Sequence, residues 1–148
     1  MFVVTLVLGI AVVLALVATP FIVVYRRRYR TALDRLNAEM EAETVLRPLQ
    51  KGVYRGATAP GYPSIKNNGK LALTRQRLVF VTYTGKTIQI PLGAITGLGK
   101  SRVFKGSVAG GWIHLIVRTN SGEIGFYTSD NAAWLSALGQ ATRVVPDA

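Results

Sequence analysis

No cysteine occurs in the 148 residues, and histidine occurs once, at position 114. The first absence excludes disulfides, thiolate nucleophiles and cysteine-bound zinc. Acids are scarce as well, seven against eighteen lysines and arginines. From Lys51 onward the only carboxylates are Glu123, Asp130 and Asp147. General acid–base catalysis needs a pair of titratable groups held in a cleft, and a metal centre needs three or four convergent ligands. That inventory is missing, so the chain reads as non-enzymatic, with no catalytic residue, no metal and no cofactor. The fragment GLGKS, Gly97 to Ser101, carries Gly-Lys-Ser, but a phosphate-cradling loop needs a further glycine where Ala94 stands. His114 falls mid-strand beside Trp112, Ile116 and Arg118, where ordinary packing accounts for it.

Charge is also absent from residues 2–24, FVVTLVLGIAVVLALVATPFIVV. A helix of that length extends about 35 Å at roughly 1.5 Å per residue, enough for a hydrocarbon core of about 30 Å. Thr5 and Thr19 are its polar side chains, and their hydroxyls can bond back to helix carbonyls; Pro20 is expected to kink it near its end. A cleaved signal peptide would show a basic leader, a shorter apolar core and small residues at the cleavage site. Here no Lys or Arg precedes the run, and cleavage after Ala18 would place bulky Leu16 at a position that wants a small side chain. We therefore expect a retained anchor over 1–25. Arg26, Arg27, Arg28 and Arg30 follow it directly, which by the positive-inside bias puts the N-terminus outside and the remainder in the cytoplasm. Tyr25 and Tyr29 complete the expected membrane-interface set.

Residues 26–50 read as a basic juxtamembrane segment and helical stalk. Leu33, Leu36 and Met40 recur at helical spacing and the other face is charged, the whole reading as a solvated stalk that continues the membrane helix, and Pro48 stops the helix near Arg47. From Gly52 the texture changes to short strands. VYRGAT (53–58), KLALT (70–74), RLVFVTYT (77–84), KTIQIPL (86–92), AITGLGKSRVF (94–104), WIHLIVRT (112–119) and EIGFYT (123–128) make seven. Asn68-Gly69 reads as a turn, and KGSVAGGW (105–112) as a mobile glycine-bearing linker. Ser129 or Asp130 then caps a helix running to about Thr142, with Trp134, Leu135 and Leu138 as its apolar stripe. The fold class is mainly β with α: an N-terminal transmembrane helix and stalk, then a seven-stranded barrel or sandwich over 51–142 capped by a C-terminal helix, and a tail over 143–148.

GKLALTRQRLVF, Gly69 to Phe80, resembles the Gly-x-Leu-x-Leu-Thr-x-x-Arg-Leu-x-Phe signature of GRAM and bacterial pleckstrin-homology-like domains. IPLGAITGL, IHLIVRTNSGEIGFYTS and AAWLSAL look like that family's later strands and closing helix, so the resemblance covers about residues 52–142. Together with the anchor it is similar to small actinobacterial single-pass membrane proteins. It implies a PH-like fold whose first hairpin holds phosphates, here through Lys51, Arg55, Lys66 and Lys70. The pattern's further arginine falls on Ala72, so diffuse attraction to anionic lipid is implied rather than high-affinity polyphosphoinositide recognition.

Charge supports the same expectation. Six lysines and six arginines after position 50 face three acids, a surplus of nine. Lys100, Arg102 and Lys105 join the first-hairpin residues as candidate lipid- or ligand-binding positions, whereas Arg77 is expected to brace carbonyls across its hairpin. The expected partners are the membrane, spanned once, anionic lipids and a possible membrane protein partner. One alternative is a purely protein-binding membrane scaffold. A basic nucleic-acid-binding β-barrel is another, which would need stacking platforms such as Tyr54, Tyr62 and Tyr83; no nucleic-acid motif is present, so no nucleic acid is expected.

Overall fold

The computed structural model describes residues 2–108 and 110–147. Met1 of the expected anchor, Ala109 of the expected glycine linker and Ala148 of the tail lie outside the described residues. The chain begins with one helix, α1 (Phe2–Glu41), whose apolar half is long and apolar enough to cross a membrane. Thr19 donates its hydroxyl hydrogen to the Ala15 carbonyl at 2.6 Å, the local satisfaction an apolar surrounding demands. Pro20 sits inside the helix, which continues through it.

Seven strands form an antiparallel sheet: β1 (Val45–Ala57), β2 (Asn67–Thr74), β3 (Arg77–Thr82), β4 (Thr87–Pro91), β5 (Ile95–Ser101), β8 (His114–Thr119) and β9 (Gly122–Thr128). Their order is β4-β3-β2-β1-β9-β8-β5, so the first strand pairs with the last and the sheet is not closed between β4 and β5. A separate hairpin, β6 (Val103–Phe104) and β7 (Ser107–Val108), interrupts the meander. Helix α2 (Asn131–Thr142) packs on β5, on β8 and on the 3-10 turn Leu92–Ala94 that joins β4 to β5. Its stripe of Trp134, Leu135 and Leu138 enters a core with Tyr54, Phe80, Leu98, Leu115 and Phe126, while Asp130 caps it by accepting from the Ala133 N–H at 3.3 Å.

Several boundaries move from their sequence expectation. The stalk helix ends at Glu41, not near Arg47, and Val45–Gln50 belong to β1. β-branched Thr44 and Val45 favour extended backbone, and Arg75 donates its N–H to the Thr44 carbonyl at 3.0 Å as the chain enters the sheet. Pro48 is accommodated within the second register shift of the β1–β2 ladder, between Arg47 and Gln50, where a residue without an N–H costs no ladder bond. The sheet domain therefore begins before residue 51. Asn68 and Gly69 are not a turn; they pair in β2 opposite Val53 and Gly52. An added Cβ at Gly69 would strike the Val81 carbonyl and the Phe80 ring, so close approach of two strands explains the glycine. The residue run 105–112 is not simply a linker. Lys105 and Gly106, at φ 52° and 71°, form the two-residue turn of the β6–β7 hairpin.

The stalk is solvated on its charged face only. Leu36 and Met40 are buried against Ala72, Val79 and Val81 on the outer face of β2–β3, with Tyr29, Ala32, Leu33 and Leu49 around them. Burying each of the two long side chains contributes about 1.5–3 kcal/mol. β3 is consequently covered on both faces: Leu78 and Phe80 point into the core, Val79 and Val81 toward α1.

Candidate functional site

Two contacts fix the helix to the domain, one near each end of their shared length. At the far end Arg77 pairs with Glu43 at 2.6 Å and with Glu39 at 2.8 Å. This replaces the expected brace across the hairpin. Thr74 performs that local task, its hydroxyl accepting from the N–H groups of Gln76 and Arg77 at 3.1 Å each. Burial disfavours the Glu43 carboxylate, but hydrogen bonds from Thr74 and Arg77 and the guanidinium charge outweigh it, holding Glu43 below its ordinary pKa.

At the near end the turn between β3 and β4 lies on the helix backbone. A Cβ added at Gly85, whose φ is +86°, would come within 3.0 Å of Arg28, so glycine meets two demands there, left-handed backbone and close approach. Tyr83 stacks edge-on against Tyr29 at 5.2 Å. Between turn and helix is a cleft of about 440 Å³ lined by Arg27, Arg28, Thr31, Ala32, Arg35, Thr84, Gly85 and Lys86. Among the described residues, four cations and two side-chain hydroxyls face it and no carboxylate lines it. Antiparallel register puts the β1–β2 loop and the β8–β9 turn at the same end of the sheet as this β3–β4 turn.

The other expected site residues divide into three places. Lys51 and Lys70 are directly opposed across the β1–β2 ladder. Like charges so placed repel, and a bound anion would relieve them. Lys51 also lines a depression of about 370 Å³ with Tyr83, Tyr127 and Thr128. Arg55 and Lys105 meet at the β6–β7 hairpin. Arg55 donates to the Ser107 hydroxyl at 3.2 Å, and Lys105 donates to the Ser64 carbonyl at 2.7 Å, pinning the hairpin to the β1–β2 loop. Lys66 is exposed in that loop, and Lys100 and Arg102 are exposed around the end of β5. Tyr25, Arg26, Arg27, Arg28 and Arg30 are exposed on α1, whereas Tyr29 is partly buried against the domain.

Sequence reasoning missed Arg35 and Lys86 as site residues. Arg28 and Arg35 are seven residues apart, two helical turns and hence one face, so half of the cleft had a readable signal. Gly97 and Gly99 of GLGKS lie in β5 beneath the Arg118 side chain, as strand residues that leave it room. His114 is fully buried, its Nδ1 3.1 Å from the Ser101 carbonyl and its ring 6.2 Å from that of Phe104.

No sequence-family model and no curated protein matches the chain. Among solved structures it is similar to the C-terminal domain of an unknown protein from Leishmania infantum, at 19% identity and a TM-score of 0.53, over 78% of this chain and 94% of that one. It is also similar to a chain of the Spt16D Pob3N heterodimer, at 16% identity and a TM-score of 0.44, over 55% of this chain and 45% of that one. The first likeness is one of fold alone.

Proposed function

We propose that the chain is a single-pass, membrane-anchored PH/GRAM-like adaptor of the cell membrane. Its N-terminus lies outside, and its domain lies in the cytoplasm against anionic headgroups of the inner leaflet. One observation carries this reading: the domain is docked on the same helix that holds the apolar run. Gly85 touches Arg28, four residues after Val24. Four residues of helix rise about 6 Å, the depth of one headgroup layer. The β3–β4 end of the sheet is thereby held at the bilayer surface with no linker on which to swing away. The arginines that follow the span support the cytoplasmic side. The meander whose first strand meets its last, with α2 packed at its open side, is in keeping with the PH-like resemblance. Tethering raises the local concentration of the domain, so weak attraction to headgroups suffices.

Full-length protein reconstituted in phosphatidylcholine bilayers, with spin-labelled phosphatidylglycerol or spin-labelled phosphatidylcholine, tests the reading by EPR. The anionic label should be restricted more strongly, and the difference should shrink as salt rises. Equal restriction of both labels at low salt would overturn it. Because the native chain has no cysteine, an Arg143→Cys variant also reports sidedness through an impermeant maleimide.

A protein-binding scaffold is favoured by a different surface. Val103 and Val108 on the β6–β7 hairpin are exposed, and Trp112, 56% exposed, stacks on Tyr127 at 4.8 Å. Crosslinking from native membranes, with one protein retained at high salt, would support that reading.

A further inference from the structure

We infer that the cleft between α1 and the β3–β4 turn is a headgroup site for one anionic phospholipid, separate from the first-hairpin lysines. The inference rests on the proposed membrane reading and assigns it a location. Arg27, Arg28, Arg35 and Lys86 converge on the cleft, with the hydroxyls of Thr31 and Thr84 beside them. Among the described residues none of these four cations has a carboxylate partner, whereas Arg47, Arg77 and Arg118 all do. Four uncompensated like charges around one small space repel one another, and a phosphodiester entering it removes that cost. Guanidinium groups offer paired N–H donors that match phosphate oxygens, and hydroxyls can fill the remaining acceptor positions.

Depth selects the source of the phosphate. Arg27 and Arg28 stand three and four residues past Val24, at the level of the lipid phosphates, and the turn bearing Lys86 is packed at Arg28. Arg35 stands two turns higher, about 10 Å further from the bilayer. A phosphate alone would leave that upper end empty. The occupant therefore carries a polar headgroup beyond its phosphodiester, glycerol or inositol, rather than ending at the phosphate. The cleft is on the outside of the sheet, so its ligand does not enter the barrel-like core. It is built from two segments, one on α1 and one on β3–β4, and exists only when the helix is docked.

The test uses the full-length chain in bilayers, with spin-labelled lipids of each class. Arg35→Gln and Lys86→Gln, singly and together, remove cations from different elements while leaving the arginine run that orients the span. Selectivity for phosphatidylglycerol or phosphatidylinositol over phosphatidylcholine should fall about fivefold per cation and about 25-fold in the pair. Lys66→Gln with Lys70→Gln, equal in charge but outside the cleft, removes only the diffuse share of the attraction and should lower it less than about fivefold. Phosphatidic acid should be held less well than the two larger headgroups. If the two pairs of substitutions act equally, the attraction is diffuse and the cleft assignment fails while the membrane reading stands. If the unaltered protein shows no anionic preference, the membrane reading itself fails. Displacement of the labelled lipid by inorganic phosphate at millimolar concentration would instead assign the cleft to a soluble anion.

Discussion

Replacing Arg77 by methionine gives the most direct check on how the domain is held to the helix. Arg77 and Arg118 each make two ion pairs, so a count of salt bridges makes them equal. Burial separates them. The Arg77 side chain is 15% exposed and its partner Glu43 only 9%, whereas Arg118 is 38% exposed and its partners Glu123 and Asp147 are 43% and 62%. Pairs as open as those of Arg118 contribute about 0–1 kcal/mol after screening and side-chain entropy are counted. Removing Arg77 strands the Glu43 carboxylate at the edge of an apolar interface with the Thr74 hydroxyl as its remaining partner, which costs about 3 kcal/mol. Glu39, half exposed, is solvated on release and adds little.

Methionine keeps most of the apolar stem of arginine, so packing loss is small. Denaturation of the full-length chain in micelles should thus show R77M destabilised by about 3 kcal/mol and Arg118→Met by less than 1. Hydrogen exchange should localise the first effect to residues 29–43, where α1 lies on β2–β3. An R77M penalty no larger than that of the Arg118 variant, with helix protection unchanged, would refute the reasoning that this pair latches the helix. A penalty spread uniformly over the sheet would refute its localisation.

Two further predictions concern the face covered by the β6–β7 hairpin. Burial, aided by the charge of Arg55, holds the His114 pKa below its ordinary 6.5 although a hydrogen bond to the Ser101 carbonyl opposes the shift. The unfolded chain then binds the proton more readily, so stability is full above pH 6.5 and falls as the pH drops below it; urea titrations from pH 7.5 to 5 should show this slope, and His114→Gln should flatten it. Gly125 admits the Phe104 ring onto the back of β9, where an added Cβ would come within 2.6 Å of that ring. Gly125→Ala should cost about 1–3 kcal/mol and raise hydrogen exchange in 103–108, leaving the docked helix protected.

How much of this was legible before the structure depended on the range of the interaction involved. The strands of 70–92 were readable because Ile88 and Ile90 alternate with Thr87 and Gln89, and the structure buries the first pair and exposes the second. The run LVFV at 78–81 carried a second message that periodicity alone did not resolve. Four successive apolar residues mark a strand covered on both faces, and α1 is the missing cover. Leu33, Leu36 and Met40 were the complementary signal on the helix, read as a stripe but assigned to solvent because nothing local names its partner. Pro48 misled for a related reason. Proline stops a helix, but it equally fits a bulged strand, and the choice was made by tertiary pairing with β2.

The candidate site was less legible because it depends on where the acids go as much as on where the bases are. Among the described residues, five of the seven side-chain carboxylates are drawn into ion pairs with Arg47, Arg77 and Arg118. Glu39 and Glu43 pair beyond the second turn after Arg28, at the end of the docked helix away from the apolar run. None lines the cleft at Arg27, Arg28, Arg35 and Lys86. A net charge of +11 describes a basic protein without saying which side is basic. Folding neutralises the far end and leaves the end beside the apolar run uncompensated. Charge arranged in that way does no work for the stability of the fold, since its members only repel. Its separation from the acids is intelligible if an anionic surface completes it, and the docked helix holds it at the depth where such a surface would lie.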